Sequence, residues 1–297
     1  MLRGAGSPSA SVERLASVAD LASETRKLAR RDFDNDLSSH HLMRYAGRVD
    51  GYLVTAKNSG THGLRFMLSH AIAHNLGLPP PPTSSGPASN TFIGHPKNGW
   101  GYPDIPKIGS SHNIPSRVMN LVGARDLMHL PPTVVLVRDP REALASYYVK
   151  WAERYDLGSF SDYLRRPAPG LKKVDDVWWF IRFFNRWGEA LAARPGDITV
   201  VRQEDMKRDP AETIRRVWAH WDVILTEADI AAGVAVASRD AVARGLDPAL
   251  DETIIPDARK REAVVLSDAD RAYLDEVFAR HLHHDFGYGL IGPDARR

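Results

Sequence analysis

Three short β-prone runs, each followed by a polar turn and a helical pattern, constrain the fold more than any other feature of the chain. The predicted strands are residues 51–55 (GYLVT), 133–137 (TVVLV) and 197–201 (DITVV). Strands that alternate with helices predict βαβ crossovers, and therefore a parallel sheet covered by helices on both faces. We expect a three-layer α/β/α protein with a central parallel sheet, and any ligand should bind at the carboxyl ends of the strands.

Composition excludes several classes of function. The chain has 297 residues, and 39 basic side chains nearly balance 37 acidic ones, so we expect no nucleic-acid partner. It contains no cysteine, which excludes disulfides, thiolate metal sites and cysteine nucleophiles. Residues 1–30 lack an apolar run long enough for a signal peptide or for a membrane span of roughly 20 residues. We expect a soluble, cytoplasmic protein with no membrane span.

Two segments indicate how the chain is organised. Residues 11–31 show the apolar spacing of an amphipathic helix, so residues 1–47 are predicted to form an N-terminal helical segment ahead of a main domain over residues 48–297. This segment is interpreted as a packing arm or as the contact of a homodimer. Residues 78–90 (LPPPPTSSGPASN) include four successive prolines, which lack N–H groups, and are predicted to be an exposed loop.

The turn after the first predicted strand has the composition of an anion-binding loop. Residues 56–63 read AKNSGTHG, and a helical pattern begins at Leu64. Backbone N–H groups at such a helix start point toward an anion. The nucleotide triphosphatase pattern G-x-x-x-x-G-K-(S/T) is absent, because Lys57 precedes Ser59, Gly60 and Thr61. On these residues alone, a plain surface turn is an equal alternative.

A second anion-binding pattern follows the strand at 133–137. Arg138 lies at the strand tip, Asp139 is suited to cap the next helix with Pro140 in its first turn, and Ser146 falls in the second turn. A guanidinium and a hydroxyl so placed can hold one phosphate together. The alternative is a capped helix in which Arg138 forms a structural ion pair.

Taken together, these segments resemble the two binding elements for 3′-phosphoadenosine 5′-phosphosulfate (PAPS) in the sulfotransferase family. The first resembles P-K-S-G-T-T-W, and residues 138–148 resemble R-D-P-R-(D/E)-x-x-x-S-x-Y. Residues 203–210 (QEDMKRDP) also resemble the family segment Y-E-D-x-x-x-(D/N)-P. The resemblance implies a P-loop-NTPase-like fold, with PAPS as co-substrate and 3′-phosphoadenosine 5′-phosphate (PAP) as product.

The resemblance implies roles for individual residues. Arg138 and Ser146 would bind the 3′-phosphate, and residues 259–261 (RKR) resemble a basic segment that closes on it. The full predicted set of cofactor-binding residues is Lys57, Asn58, Ser59, Gly60, Thr61, His62, Arg138, Ser146, Gln203, Arg259 and Lys260.

The chain departs from the family pattern at the first loop. An ungapped alignment places Asn58 at the family's lysine and Lys57 at its proline. We favour Lys57 as the group that reaches the bridging oxygen, with Asn58 as a neutral donor in the alternative. The family tryptophan that flanks adenine aligns with Gly63, and the tyrosine of the third segment aligns with Gln203, so the adenine pocket must differ here.

A candidate general base follows from a fourth segment. Residues 107–115 (KIGSSHNIP) resemble K-(T/S)-H-x-P, which supplies a catalytic histidine in many cytosolic sulfotransferases, and this identifies His112. A neutral imidazole is suited to accept a proton near pH 7. The alternatives are a hydrogen-bonded loop histidine, or His62 as the base. The chemistry needs no metal, and the histidines of residues 281–285 are interpreted as a solvated helix end.

The acceptor is the least defined part of the prediction. Trp100 and Tyr102 lie between glycines and a proline, and we predict that they line the acceptor pocket, whereas the aromatic run at 177–187 is predicted to be core. Small molecules and carbohydrates, as well as phenols, lipids and peptides, remain open as acceptors. We expect in-line sulfuryl transfer from PAPS to a hydroxyl or amine; the alternatives are a P-loop kinase that uses ATP and an inactive nucleotide-binding protein.

Overall fold

A computed structural model describes residues 26, 30, 40–120, 130–165, 175–247 and 264–291. Most of the predicted N-terminal segment, and both Arg259 and Lys260, lie outside these ranges. The described helices and strands are, in chain order, α1 (His40–Tyr45), β1 (Gly51–Thr55), α2 (Thr61–Asn75), β2 (Ile93–Gly94), β3 (Ile108–Ser111), β4 (Thr133–Val137), α3 (Pro140–Tyr155), α4 (Phe160–Arg165), α5 (Val177–Ala193), β5 (Ile198–Arg202), α6 (Gln203–Arg208), α7 (Pro210–His220), α8 (Glu227–Val234), α9 (Arg239–Arg244) and α10 (Asp268–His281). Within these ranges, each helix is too short or too polar to span a bilayer.

The five strands form one parallel sheet in the order β2-β3-β1-β4-β5. The predicted parallel α/β fold is therefore confirmed. β1 and β4 have the predicted bounds, and β5 begins one residue later than predicted, at Ile198. β2 and β3, which complete the sheet on one side of β1, were not predicted.

The core lies on both faces of the sheet because the central strands alternate their side chains between two apolar layers. Val135 and Val137 of β4 pack into a layer with the aromatic residues of α5, whereas Val134 and Leu136 pack into the layer that contains residues of α2 and α7. All four β4 residues are fully buried. A strand buried on both faces has this continuous apolar sequence. The predicted core role of the aromatic run at 177–187 is confirmed.

The proline-rich loop is more buried than predicted. Ser84 and Ser85 are buried, and the Ser84 hydroxyl donates a hydrogen bond to the Val242 carbonyl oxygen at 2.7 Å. A short 3-10 helix occupies Pro87–Asn90. The prediction of an exposed loop is wrong for these serines, because their polar groups find partners in and after α9.

Candidate active site

A cavity of about 660 Å³ opens where the carboxyl ends of four strands meet. The turns after β1, β3, β4 and β5 all contribute to it, as expected for a parallel sheet. The residues that line it are Lys57, Asn58, Gly60, Thr61, His62, Gly63, His112, Arg138, Ser146, Tyr147, Lys150, Trp151, Asp175, Gln203, Met206, Lys207, Ala237, Arg239 and Val242.

The loop between β1 and α2 forms a tight cradle. Asn58 and Gly60 both have positive φ angles, 57° and 94°. A side chain at Gly60 would meet the Gln203 amide nitrogen at 3.0 Å, so glycine suits both the backbone conformation and the space. Ser59 is fully buried and its hydroxyl donates to the Ala56 carbonyl oxygen. Ser59 is therefore part of the loop's frame and is not among the residues that line the cavity.

The loop ends at the start of a 15-residue helix. Thr61 is the first residue of α2, and its hydroxyl lies 2.8 Å from the hydroxyl of Thr55 at the end of β1. The N–H groups of a helix's first turn have no acceptor within the helix, and the helix dipole favours negative charge there. This geometry suits a phosphate or sulfate group.

Arg138 connects the two predicted anion-binding segments. Its buried guanidinium donates from Nη1 to the Asn58 carbonyl oxygen at 3.0 Å and from Nη2 to Glu142 at 2.9 Å. Arg138 thus forms the ion pair considered in the sequence analysis and also lines the cavity. Ser146, on the same helix as Glu142, is buried and lines the cavity as well.

The helix that carries Ser146 begins as predicted. The Asp139 carboxylate accepts a hydrogen bond from the backbone N–H of Arg141 at 2.8 Å, and Pro140 is the first residue of α3. Proline suits this position because its missing N–H has no partner within the helix there.

The third segment completes the wall beside Gly60. Gln203 is buried at the start of α6 and accepts a hydrogen bond from the Lys207 ammonium at 3.0 Å. Both residues line the cavity. The structure therefore places the third motif at the same edge of the sheet as the first two.

His112 has a defined tautomer. Its Nδ1 lies 2.8 Å from the Thr55 carbonyl oxygen, which only accepts hydrogen bonds, so Nδ1 carries the proton and Nε2 holds a lone pair. Desolvation by the surrounding protein lowers the pKa of His112 to about 4, and the Lys57 ammonium acts in the same direction. The residue is nevertheless exposed where it faces the cavity, and solvent there moderates the effect. His112 is neutral at pH 7.

His62 is the other histidine that lines the cavity. Its Nδ1 lies 3.1 Å from the Ser84 carbonyl oxygen, and burial lowers its pKa to about 4. His62 therefore shares the neutral state and the fixed Nδ1 of His112. The geometry alone leaves both as candidate bases.

Lys57 is held by partners that the sequence analysis did not find. Its ammonium donates to Asp175 at 2.5 Å and lies 5.2 Å from the centre of the Trp179 ring. Asp175 is 5% exposed, and burial raises the pKa of its carboxyl while Lys57 opposes the rise. Both members of the pair line the cavity.

Other lining residues lie on the helix that carries Ser146. Tyr147, Lys150 and Trp151 follow Ser146 at helical spacing, so one face of α3 contributes all four side chains. The helical period counted from Ser146 would have found them. Asp175, Met206, Arg239 and Val242 carried no comparable sequence signal.

The predicted acceptor aromatics lie elsewhere. The Trp100 indole nitrogen donates to the Ile108 carbonyl oxygen at 3.2 Å, and the Tyr102 ring lies 5.6 Å from that of Phe92. Neither is among the described residues that line the cavity.

In the histidine-containing segment at 281–285, His281 is buried against Trp178. Searching the described ranges gives no group of three metal-ligating side chains placed to hold a metal ion.

No curated protein matches the chain. Among solved structures, the chain is similar to mouse sulfotransferase SULT7A1 complexed with PAP, at 14% identity and a TM-score of 0.45, covering 82% of this chain and 90% of that one. It is also similar to a sulfotransferase from Alicyclobacillus acidocaldarius, at 15% identity and a TM-score of 0.42, covering 84% and 99%. Retinol dehydratase in complex with androsterone and PAP gives 13% identity and a TM-score of 0.48, covering 86% and 88%.

One family model matches the chain, over the part that contains β4, α3, α5 and β5. Residues 130–236 match the model described as the sulfotransferase domain. The matched range includes Arg138, Ser146, Asp175 and Gln203, whereas the loop after β1 and His112 precede it. Over these residues, the chain is similar to the sulfotransferase domain.

Proposed function

We propose that this protein transfers a sulfuryl group from PAPS to a hydroxyl or amine of a small-molecule or carbohydrate acceptor. One observation carries the proposal. A single cavity collects the loop after β1, the Arg138 and Ser146 pair, and His112, which are the groups that such a transfer requires.

The cavity residues fit a nucleotide that carries two separate anionic groups. The cradle at the start of α2 suits the 5′-phosphosulfate, and Arg138 with Ser146 suits the 3′-phosphate. Five cationic side chains line the cavity against one described carboxylate, that of Asp175. PAPS, when bound, supplies the activated sulfuryl group. The cationic side chains are Lys57, Arg138, Lys150, Lys207 and Arg239.

His112 serves as the general base in this proposal. Its Nε2 lone pair accepts the proton from the acceptor's hydroxyl or amine as that group attacks sulfur. The Thr55 carbonyl oxygen, 2.8 Å from Nδ1, then stabilises the imidazolium that forms. His62 has the same electronic features, so substitution of each histidine is needed to tell them apart.

Lys57 is the better candidate for the bridging oxygen. Its ammonium lines the cavity and lies close enough to His112 to lower the pKa of that imidazole. The Asn58 carbonyl oxygen already accepts a hydrogen bond from Arg138, and its backbone has a positive φ angle. Asn58 therefore contributes to the shape of the loop, and Lys57 supplies the charge-assisted hydrogen bond.

The first experiment tests the donor site. Calorimetric titration should show that PAP binds the wild-type protein and that adenosine 5′-phosphate binds at least about tenfold more weakly, since one charge-assisted contact is worth about 1.5 kcal/mol or more. Arg138→Ala should lose this preference for the 3′-phosphate. A protein that does not distinguish the two nucleotides, or that prefers ATP with magnesium, would overturn the proposal in favour of the kinase alternative.

The second experiment identifies the base. His112→Asn keeps a hydrogen-bond donor near the Nδ1 position but removes Nε2, so PAP should still bind while sulfuryl transfer in an acceptor screen falls about 10²-fold or more. His62→Asn is the matched control, because it makes the same change beside the Ser84 carbonyl oxygen. If His62→Asn loses transfer and His112→Asn keeps it, the roles are reversed.

A further inference from the structure

The ion pair between Lys57 and Asp175 connects two distant parts of the chain. Lys57 belongs to the loop after β1, and Asp175 directly precedes the capping residue of α5. The backbone of Asp175 is itself fixed, because its carbonyl oxygen accepts a hydrogen bond from the Tyr163 hydroxyl at 2.5 Å. The Trp179 ring, on the first turn of α5, covers the ammonium from another side. Asp175 and its neighbours therefore determine where the Lys57 ammonium lies.

The pair lies near the proposed reaction centre. Lys57, His112 and Asp175 line the same cavity, and Lys57 lowers the pKa of His112 through its charge. The 3′-phosphate residues Arg138 and Ser146 belong to a different strand end. The sulfuryl end of the donor, rather than its 3′-phosphate, should therefore be sensitive to this pair.

The negative charge of Asp175 is unusual beside a predicted anion-binding loop. A buried carboxylate beside an anion-binding cradle opposes anion binding, and it is the one acidic side chain among the described residues that line the cavity. Lys57 cancels that charge at 2.5 Å. If only one partner were removed, the local charge would change by a full unit in a partly buried place, where electrostatic effects are large.

We propose that Asp175 is a positioning residue for Lys57: it holds the ammonium at the cavity wall and balances its charge, so that Lys57 meets the sulfuryl group as a fixed hydrogen-bond donor in a neutral pair. This inference rests on the proposed function. It also explains how a lysine one position away from the family's lysine is held at the donor site, because the anchor is supplied by the start of α5.

The test is calorimetric titration of four proteins with PAPS and with PAP: wild type, Asp175→Asn, Lys57→Met and the double variant. Asp175→Asn should bind PAPS about tenfold more tightly, since a carboxylate near an anion is removed. The affinity for PAP should change by less than about threefold, since PAP lacks the sulfuryl group nearest the pair. Lys57→Met should weaken PAPS binding about tenfold or more because it leaves the Asp175 carboxylate unpaired. Adding Asp175→Asn to it should raise PAPS affinity by a larger factor than Asp175→Asn does in the wild-type protein, since the effects of two residues that act as a pair are not additive.

Two further variants separate positioning from a purely structural role. Asp176→Asn removes one charge at the next residue while keeping a side chain that can cap α5, so it should leave the PAPS-to-PAP affinity ratio unchanged. Asp175→Glu restores the charge and should return PAPS affinity to the wild-type value. A structural role predicts instead that Asp175→Asn weakens both nucleotides equally and that the double variant binds no better than Lys57→Met.

Those outcomes would overturn the inference while leaving the proposed function intact. Failure of the wild-type protein to bind PAP would contradict the proposed function itself. The two failures are therefore distinguishable in one set of titrations.

Discussion

At the scale of single residues, the fold keeps two histidines neutral in mild acid. In the unfolded chain the same histidines would be protonated there. Both His62 and His112 have a pKa lowered to about 4 from an ordinary value of 6.5, chiefly by burial. Each also has its Nδ1 against a backbone carbonyl oxygen. The site therefore offers neutral imidazoles to a substrate over a wide range of pH.

A dependence of stability on pH follows. Between pH 4 and 6.5 the unfolded chain binds protons at these positions that the folded protein does not, so the free energy of unfolding decreases as pH falls through this window. We expect a lower Tm at about pH 5 than at about pH 7 in thermal denaturation. His62→Asn should reduce the difference between the two Tm values. If His62→Asn showed the same difference in Tm as the wild type, His62 would not contribute to the pH dependence of stability.

Gly60 gives a second prediction at this scale. Gly60→Ala places a Cβ on a backbone with φ of 94° and 3.0 Å from the Gln203 amide nitrogen. The left-handed conformation alone costs about 1–2 kcal/mol for a non-glycine residue. Chemical denaturation should show a loss of at least this size, and PAP binding should weaken because the cradle shifts. Gly77→Ala is the control: its φ is 63°, but its Cβ would meet nothing within 4 Å, so it should lose stability and retain PAP affinity.

At the scale of elements, the first turns of α3 set the state of Arg138. Glu142 is one helical turn beyond Arg138, and its carboxylate accepts two hydrogen bonds from the guanidinium. Its side chain is 59% exposed, so the pair is only partly shielded from solvent. The carboxylate therefore orients Arg138 and, under the proposed function, would compete with the 3′-phosphate for it.

Glu142→Gln should consequently strengthen PAP binding. Removing an exposed partner charge changes the free energy by about 0.2–1 kcal/mol, which is an increase in affinity of up to about fivefold. Calorimetry at low and high salt should show the gain shrinking as salt rises. Weaker binding by Glu142→Gln would mean that orientation of Arg138 outweighs competition.

The strands also show which parts of the fold could be predicted from the sequence. β1 and β4 were predicted with their observed bounds because both are continuous apolar runs buried on two faces. β3 reads IGSS and β2 has only two residues, so neither has a β-prone sequence or a length that distinguishes it from a loop. Those two strands exist because β1 offers a free edge, a tertiary effect that local sequence does not encode.

The site shows the same division. Residues next to a strand end, such as Arg138, Gln203 and His112, could be placed from motifs because the sheet brings strand ends together. Asp175 comes from the segment before α5, more than 100 residues after Lys57, and only the packing of α5 on the sheet brings the two together. The predicted roles of Trp100 and Tyr102 were inferred from flanking glycines, a local signal without information on which face a loop packs.

At the scale of the whole molecule, donor binding should stabilise the fold. The described cavity draws on the turns after four strands, so a nucleotide there would contact several parts of the chain at once. PAP at about 100 times its Kd should add about 2.7 kcal/mol to the free energy of unfolding. Differential scanning fluorimetry should therefore show a Tm higher by several degrees, and Arg138→Ala at the same PAP concentration should lose most of the increase.

The register of β1 and β4 fixes the distance between the two predicted anion-binding segments. Thr55 at the end of β1 pairs with Leu136 of β4, so the cradle and Arg138 begin within two residues of a fixed backbone register. Neighbouring strands lie about 4.8 Å apart, a spacing that side-chain substitutions hardly alter. The separation of the two predicted anion-binding segments is thus set by the backbone. Side chains elsewhere around the cavity can therefore change while the distance between the ends of β1 and β4 stays constant.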